Sequence, residues 1–305
     1  MTPDAYTIQE TFIEVGDGHT LYVHDWGNKD AETPIIFLHG GPGGQCGDKH
    51  KRQFDAATQR VIFFDQRGSG KSLPYGSLEH NTTQDMIHDI GAIADHFNIE
   101  SFFLTGRSWG SCLALAYALE HPERVKAMVL GGIFTGSQSE IDWLDNGVFA
   151  TFYPEAWERY LAATPESHRN NPGEYHYRRL MGTDEAAAKT SGLAYDTLEG
   201  SVMQLDDSFT PPSLEEYDPA PIRIEMHYMH ERCFLPDRFI LKSAHKLAMP
   251  IYLVQGRYDM VCPPVTAYEL NEYLPNSELY MYIGGHRVEH ESWNITKALL
   301  GRLTA

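Results

Sequence analysis

The sequence predicts an α/β fold: a mostly parallel central sheet with helices on both faces and a helical cap inserted into it. Short apolar segments alternate with helix-like segments at the start of the chain, which is typical of parallel strands buried on both faces. From about residue 135 to 246, strand signals fade and aromatic, charged and helix-forming residues dominate. The alternation then resumes. We therefore expect a core formed by residues 1–134 and 247–305, with the cap at residues 135–246.

The first part of the core is predicted from its apolar segments. The expected strands are HTLYVHDWG, PIIFLHG, RVIFFD, SFFLTG and a stretch near residues 128–130. Between the third and fourth of them, TTQDMIHDIGAIADHFN has apolar residues at helical spacing, among them Met86, Ile90 and Ile93. Thr82 or Thr83 stands before this pattern as a helix cap. The segment therefore predicts a helix that covers one face of the sheet.

The last part of the core continues the same alternation. MPIYLVQG predicts a strand, a helix follows near residues 266–273, ELYMYIGG predicts another strand, and ESWNITKALLGRL predicts a final helix. The segments that precede residue 247, such as DEAAAKTSGLAYDTLEGSVMQL, contain helix formers and predict the helical cap.

Charge and composition exclude several classes of partner. The 305 residues include 24 Lys and Arg against 42 Asp and Glu, and the net charge of −18 argues against nucleic acid or an anionic membrane as partner. The chain has no apolar run of about 18 residues, and its first residues lack a signal-peptide pattern. Four scattered cysteines without a CxxC motif fit a reducing compartment. We expect a soluble, cytoplasmic protein; the sequence leaves its oligomeric state open.

The segment Gly106-Arg107-Ser108-Trp109-Gly110 matches the G-x-S-x-G motif of a nucleophilic serine. A predicted strand precedes it and a predicted helix follows, as this motif requires. The two glycines permit a tight strand-to-helix turn that projects the hydroxyl from the sheet edge. The alternative, a chance match in a Gly/Ser turn, does not account for both flanks. Ser108 is the predicted nucleophile.

A serine hydroxyl needs a base to accept its proton and a carboxylate to orient that base. Asp259 follows the predicted strand IYLVQG, and His286 follows ELYMYIGG. Each residue alone could be an ordinary turn or surface residue. Their order along the chain, Ser then Asp then His on loops after strands, instead predicts a catalytic triad.

A predicted oxyanion hole completes this site. One backbone N–H should come from Trp109, directly after the nucleophile, and the other from Gly41, in the glycine loop after the buried strand PIIFL. The neighbouring Gly40 is expected to border the substrate. A merely flexible glycine loop is the alternative, but it does not explain the position of the loop after a buried strand.

Other motifs in the chain are incomplete. DQRGSGKS ends like a phosphate-binding loop but has Asp65 where the first glycine belongs, and Cys46 stands where a dinucleotide motif needs its third glycine. The pairs His227/His230 and His286/His290 have spacings that could suggest metal ligation, but HExxH is absent. We expect neither a metal nor a cofactor.

Taken together, the motifs resemble the proline iminopeptidase family of α/β-hydrolases. The resemblance covers nearly the whole chain and rests on HGGPGG at residues 39–44, DQRGSGKS at 65–72, SWGS at 108–111, GRYDMVCPP at 256–264 and GGH at 284–286. It implies a serine exopeptidase that releases an N-terminal proline from small peptides with a free N-terminus, through an acyl-enzyme intermediate. It also implies two glutamates that bind the substrate amine, which align with Glu199 and Glu225, with Tyr195 beside them.

The chain departs from the family pattern around the expected pocket. Tyr195 and Leu198 replace two tryptophans, Arg107 stands where the family has glycine, and Gly131 where it often has arginine. Arg107 could hinder a cationic substrate or exchange roles with the missing arginine. The strictness of the proline preference therefore stays open, and a broader aminopeptidase or a carboxylesterase is the alternative. A non-catalytic binding protein would have no need of all three triad residues.

Overall fold

An eight-stranded sheet forms the centre of the part of the molecule that the structure describes. A computed structural model of the chain describes residues 9–145, 148–203, 205–206, 209–287 and 290–304. The strands are β1 (Gln9–Gly16), β2 (His19–Gly27), β3 (Ile35–Leu38), β4 (Arg60–Phe64), β5 (Phe102–Ser108), β6 (Val125–Ile133), β7 (Ile251–Gly256) and β8 (Ser277–Tyr282). They lie in the order β1-β2-β4-β3-β5-β6-β7-β8. The strand pairs β1–β2 and β2–β4 are antiparallel, and the other pairs are parallel. This arrangement confirms the predicted fold class.

The strand β1 was not predicted from the sequence. Its residues alternate between exposed and buried positions, with Glu10 and Glu14 on the exposed side and Ile13 and Val15 in the core. Such alternation is expected of an antiparallel strand at the edge of a sheet, where one face contacts solvent. The prediction relied on fully apolar segments and therefore missed it.

Helices cover both faces of the sheet. The core helices are α1 (Thr83–His96), α2 (Trp109–Glu120), α10 (Pro264–Tyr273) and α11 (His290–Leu303). Helices α1, α2 and α10 contribute to a large apolar core on one face, and α11 packs into a second core on the other. Thr82 is the cap of α1: it accepts a hydrogen bond from the Asp85 N–H, and the Asp85 carboxylate accepts one from the Thr82 N–H.

The segment between β6 and β7 folds into helices in the residues that the structure describes. They are α3 (Gln138–Asp145), α4 (Val148–Phe152), α5 (Pro154–Ala162), α6 (Pro172–Leu180), α7 (Glu185–Val202), α8 (Ala220–His230) and α9 (Phe239–Ser243). Helix α7 packs against α5, α6 and α8. No helix within the described ranges is long and apolar enough to cross a membrane.

Candidate active site

Ser108 is the last residue of β5 and occupies a strained turn directly before α2. Its backbone has φ 55° and ψ −128°, in the region that a residue with a side chain rarely adopts. The flanking glycines are required by space: a Cβ at Gly106 would lie 2.5 Å from the Gly110 carbonyl oxygen, and a Cβ at Gly110 would lie 2.2 Å from the Leu38 carbonyl oxygen. The turn therefore packs closely against the end of β3, and this contact leaves room only for glycine at the two motif positions.

His286 and Asp259 form a hydrogen-bonded pair at the ends of β8 and β7. The His286 Nδ1 lies 2.9 Å from Asp259 Oδ2 and 3.0 Å from Oδ1. The Asp259 carboxylate is 1% exposed and also accepts hydrogen bonds from the backbone N–H groups of Val261, at 3.0 Å, and Cys262, at 2.7 Å. Because Nδ1 donates to the carboxylate, Nε2 is left to accept a proton.

Ser108 and His286 line one cavity of about 390 Å³. Gly40 also lines it, and a Cβ there would lie 3.4 Å from the Ser108 Cβ and 4.0 Å from its Oγ. The cavity is further lined by Phe37, Leu38, Gly41, Lys49, His50, Gln53, Arg107, Gly200, Met203, Phe209, Arg287 and Trp293. The predicted nucleophile and base thus share a cavity whose volume suits a small molecule.

Cys262 is a site residue that the sequence did not reveal. Its thiol is buried and lies within hydrogen-bonding range of Ser108, and burial raises its pKa well above the ordinary value. Its backbone N–H orients Asp259. The position of Cys262, three residues after the predicted acid in a tight loop, is the signal that could have identified it.

A buried hydrogen-bond network joins the glycine loop to the serine turn. The indole Nε1 of Trp109 donates to Gln66 Oε1 at 2.9 Å, the Gln66 side-chain amide donates to the His39 carbonyl oxygen at 2.9 Å, and the Gln66 backbone N–H donates to His39 Nε2 at 3.0 Å. Burial lowers the pKa of His39, which favours the neutral ring that can accept this bond. Gln66 belongs to the DQRGSGKS motif, so that motif links the two segments predicted to form the oxyanion hole.

The glycine loop depends on a conformation that other residues avoid. Gly41 has φ 111°, and a Cβ there would lie 2.7 Å from the Gly44 nitrogen and 2.8 Å from the Gly43 nitrogen. This tight loop places Gly41 beside the cavity that contains Ser108. The predicted role of its N–H group stays a prediction.

Arg107 lies across Gly131 and contacts the histidine loop. A Cβ at Gly131 would lie 2.6 Å from Arg107 Nη1 and 3.0 Å from its Cγ, so the arginine side chain fills the space above that glycine. Its Nη2 donates to the His286 carbonyl oxygen at 2.9 Å and to the Tyr282 hydroxyl at 3.4 Å. The sequence left two interpretations of Arg107: it hinders a cationic substrate, or it takes the role of the arginine that the family often has at position 131. This geometry favours the second interpretation.

Glu199 and Glu225 form a carboxyl pair at the junction of α7 and α8. Their side chains hydrogen-bond each other, and both residues are less than 9% exposed. Burial raises the pKa of both carboxyl groups, and the charge of Glu199 raises that of Glu225 further. The charge of Asp196, one turn earlier on α7, also raises the pKa of both carboxyl groups. Two carboxyl groups this close share a proton until a cation approaches.

The aromatic residue expected beside this pair faces a different cavity. Tyr195 lines a space of about 190 Å³ within the helical segment, together with Tyr177, Met226 and His230. Leu198 lines a third cavity, next to α5. Gly200 and Met203, by contrast, line the cavity of Ser108. The residues that replace the family tryptophans therefore do not line the cavity that holds the predicted nucleophile.

Metal ligation finds no support in the part of the chain that the structure describes. Within those residues, no group of three or more His, Cys, Asp or Glu side chains is arranged to hold a metal ion. The sequence pairs His227/His230 and His286/His290 thus form no such cluster there.

Comparisons with known proteins agree with this geometry. Residues 33–290 match the family model of the alpha/beta hydrolase fold. A proline iminopeptidase of Xanthomonas citri is 38% identical over 91% of this chain and 90% of its own length. One of Arabidopsis thaliana is 37% identical over 90% of this chain and 74% of its own. The crystal structure of a Mycobacterium smegmatis proline iminopeptidase superposes with a TM-score of 0.63 at 18% identity, covering 97% of both chains. The chain therefore belongs to the proline iminopeptidase family within the α/β-hydrolase fold.

Proposed function

We propose that this protein is a serine aminopeptidase that releases an N-terminal residue, with proline preferred, from short peptides. Family membership supports the reaction class, since relatives over 35% identical are named proline iminopeptidases. The single observation that supports amine recognition is the buried Glu199–Glu225 pair, which adjoins the cavity of Ser108 through Gly200. A buried acid pair is costly to the fold, and a cationic ligand would offset that cost.

In this proposal the chemistry proceeds in two steps. Ser108 Oγ attacks the first carbonyl carbon of the peptide while His286 Nε2 accepts its proton, and the N–H groups of Gly41 and Trp109 stabilise the resulting oxyanion. His286 then gives the proton to the leaving amine, which leaves an acyl-enzyme. Water, deprotonated by His286, attacks the acyl carbon and releases the residue as a free acid, and His286 returns the proton to Ser108 Oγ. Asp259 keeps the imidazole in the tautomer that this sequence requires.

Binding of the amine should displace the proton that the acid pair shares. The protonated imino group of an N-terminal proline brings one positive charge and two N–H donors, which match two carboxylates. When it binds, the shared proton leaves and two carboxylates face one cation, so the site keeps the single net negative charge that it had before binding. The distance from this amine to the first carbonyl is fixed by covalent geometry, so the pair selects the terminal peptide bond and no other.

The arrangement of the chain and its location complete the proposal. Residues 135–246 would act as a cap that carries Glu199 and Glu225 over the core of residues 1–134 and 247–305. A cytoplasmic location is supported by free thiols at all four cysteines: Cys46, Cys112, Cys233 and Cys262.

Acylation of the substrate amine provides the test. We expect turnover of prolyl naphthylamide and loss of at least two orders of magnitude in kcat/KM after N-acetylation, because the acid pair then meets a neutral amide. Ser108→Ala should abolish turnover of the free-amine substrate while the variant keeps the wild-type circular dichroism. Equal turnover of the free and blocked substrates would reject amine recognition.

The alternative function is that of a broader aminopeptidase or a carboxylesterase. It rested on the replaced aromatic residues, but Tyr195 and Leu198 line other cavities than that of Ser108. A panel of aminoacyl naphthylamides and short acyl esters separates the two. Faster turnover of acyl esters than of the prolyl substrate would favour the alternative.

A further inference from the structure

We propose that Tyr228 fixes the distance between the amine-binding Glu225 and the nucleophile Ser108, and that this distance restricts cleavage to residues whose nitrogen is bonded to the carbon next to the carbonyl. The inference rests on the proposed function, because it concerns the position of the amine site relative to Ser108. Tyr228 is fully buried and acts through its neighbours, so it is a positioning residue that determines specificity.

The ring of Tyr228 contacts the turn that carries the nucleophile. It lies against the indole of Trp109, with 4.8 Å between the ring centroids and 64° between the ring planes. Trp109 directly follows Ser108, and its indole Nε1 also donates to Gln66 Oε1 at 2.9 Å. Edge-to-face aromatic pairs of this kind contribute to stability and prefer a defined orientation. The contact therefore joins α8 to the serine turn.

The hydroxyl of Tyr228 attaches the same helix to a second segment of the core. It donates to Asn81 Oδ1 at 3.0 Å. The side-chain amide of Asn81, which is fully buried, donates to the carbonyl oxygens of Arg67, at 3.1 Å, and Ser77, at 2.8 Å. Burial raises the pKa of the Tyr228 hydroxyl well above its ordinary value, so the group stays protonated and remains a donor. One side chain thus binds α8 to two parts of the core.

Two glycines of the sequence motifs leave room for α8. A Cβ at Gly43, in HGGPGG, would lie 2.3 Å from the Pro221 carbonyl oxygen. A Cβ at Gly68, in DQRGSGKS, would lie 3.0 Å from Ile224 Cδ1. Together with Tyr228, the contacts recur at positions 221, 224 and 228, which is the spacing of one helix face. Helix α8 therefore docks on the core along that face, and the two motif glycines permit its close approach.

Glu225 lies one turn before Tyr228 on this docked helix. Residues three apart in an α-helix are neighbours on its surface, so the position of Tyr228 determines that of Glu225. From Tyr228 the path to Ser108 passes through one residue, Trp109. Because close-packed interiors are hardly compressible, a path this short leaves little freedom in the distance between the amine site and the nucleophile.

A fixed distance discriminates between substrates by the position of their nitrogen. In prolyl naphthylamide the ring nitrogen is bonded to the carbon that carries the carbonyl group. Pyrrolidine-3-carbonyl naphthylamide has the same ring and the same charge, but its nitrogen lies one bond farther from the carbonyl. A misplacement on the order of 1 Å costs about 10²-fold in rate. We therefore expect the wild type to prefer the prolyl substrate by about a hundredfold in kcat/KM.

Variants of Tyr228 test whether this preference depends on the docking of α8. Tyr228→Leu loses both the ring contact and the hydrogen bond, and we expect the preference to fall by about tenfold or more because Glu225 is no longer held at one distance. Tyr228→Phe keeps the ring against Trp109 and loses only the bond to Asn81, so its preference should fall by about two- to fivefold. The preference is a ratio within each variant, so it does not depend on the folded fraction. A merely structural role would lower kcat/KM equally for both substrates.

Tyr117→Leu is the matched control. Tyr117 is also fully buried, but it lies eight residues after Trp109 on α2, about 12 Å along the helix axis, so this variant should keep the wild-type preference. Similar kcat/KM values for the two substrates in the wild type, a wild-type preference in Tyr228→Leu, or an equal fall in Tyr117→Leu overturns the inference and leaves the proposed function intact. If Tyr228→Leu does not fold, a wild-type preference in Tyr228→Phe overturns it instead. If the wild type does not cleave prolyl naphthylamide, the proposed function fails and the inference fails with it.

Discussion

Arg107 precedes the candidate nucleophile, and its guanidinium reaches the loop of the candidate base. The hydrogen bond from its Nη2 to the His286 carbonyl oxygen joins the two loops that must stay aligned for proton transfer. Its side chain lies over Gly131, where the family often has arginine. We interpret Arg107 as a positioning residue that supplies a cation to this volume from the neighbouring strand.

Removal of that contact should affect kcat more than KM. In Arg107→Ala the His286 loop loses a hydrogen bond, and we expect kcat to fall by about tenfold or more because small misplacements of a base are costly. Arg107→Lys should recover part of the loss. The double variant Arg107→Gly/Gly131→Arg should recover more, since its arginine enters the same volume. Steady-state kinetics on a prolyl substrate measures this, and an unchanged kcat in Arg107→Ala would remove the positioning role.

The acid pair makes a second prediction, on the pH dependence of stability. Because the folded-state pKa values of Glu199 and Glu225 lie above the ordinary value of 4.5, the folded protein keeps a proton that the unfolded chain releases. Their contribution to stability is therefore full below pH 4.5 and is lost as pH rises through the folded-state pKa values. Glu225→Gln removes one titrating group. We therefore expect the free energy of unfolding of this variant to exceed that of the wild type by about 1 kcal/mol at pH 8, and to show no such increase at pH 4.5.

Denaturant unfolding at the two pH values measures this difference, with kcat/KM on a prolyl substrate as the companion measurement. We expect Glu225→Gln to lose about a hundredfold in kcat/KM, because half of the charge that faces the amine is gone. A variant less stable than the wild type at pH 8 would contradict the account of a strained acid pair.

At the scale of elements, the position of β5 against β3 decides the shape of the serine turn. The Gly110 Cα faces the Leu38 carbonyl oxygen at the end of β3, and Gly106 faces the Gly110 carbonyl oxygen. These contacts let α2 begin directly at Trp109 and leave Ser108 with its positive φ. The required glycines follow from the close approach of two backbone segments.

Gly110→Ala tests this contact. Its Cβ would lie 2.2 Å from a backbone oxygen, so we expect a loss of roughly 1–3 kcal/mol or more in unfolding free energy, together with loss of activity. Gly91→Ala is the matched control: its Cβ in α1 would meet only Arg124 Nη1, at 3.9 Å, and alanine should stabilise the helix by about 0.5–1 kcal/mol. Thermal or denaturant unfolding distinguishes the pair, and a stable, active Gly110→Ala would contradict the interpretation.

At the scale of the whole molecule, the sequence predicted the parts of the site that lie next to strands. Ser108, Asp259 and His286 each follow an apolar strand, so their local patterns suffice. Edge strand β1 was missed because the prediction relied on apolar segments, whereas this strand alternates apolar residues with glutamates. The direction in which Tyr195 and Leu198 point could not be predicted from the sequence either, because it depends on how α7 packs among α5, α6 and α8.

Lys49 and Arg287 also illustrate what could not be predicted from the sequence. One follows the glycine loop and the other follows the candidate base, more than 230 residues later in the chain. Each has an ordinary local context, and only the closure of the sheet brings them to one cavity. Local patterns therefore identify reactive groups in this protein, whereas the residues that line the cavity around those groups become known only from the fold.

The central claim is that a buried carboxyl pair recognises the free amine of the residue that Ser108 attacks. The most direct measurement compares prolyl naphthylamide with cyclopentanecarbonyl naphthylamide, a substrate of nearly the same shape that lacks the ring nitrogen. We predict that the wild type prefers the prolyl substrate by at least two orders of magnitude in kcat/KM, and that Glu225→Gln loses most of this preference. Similar kcat/KM values for the two substrates in the wild type would contradict the account.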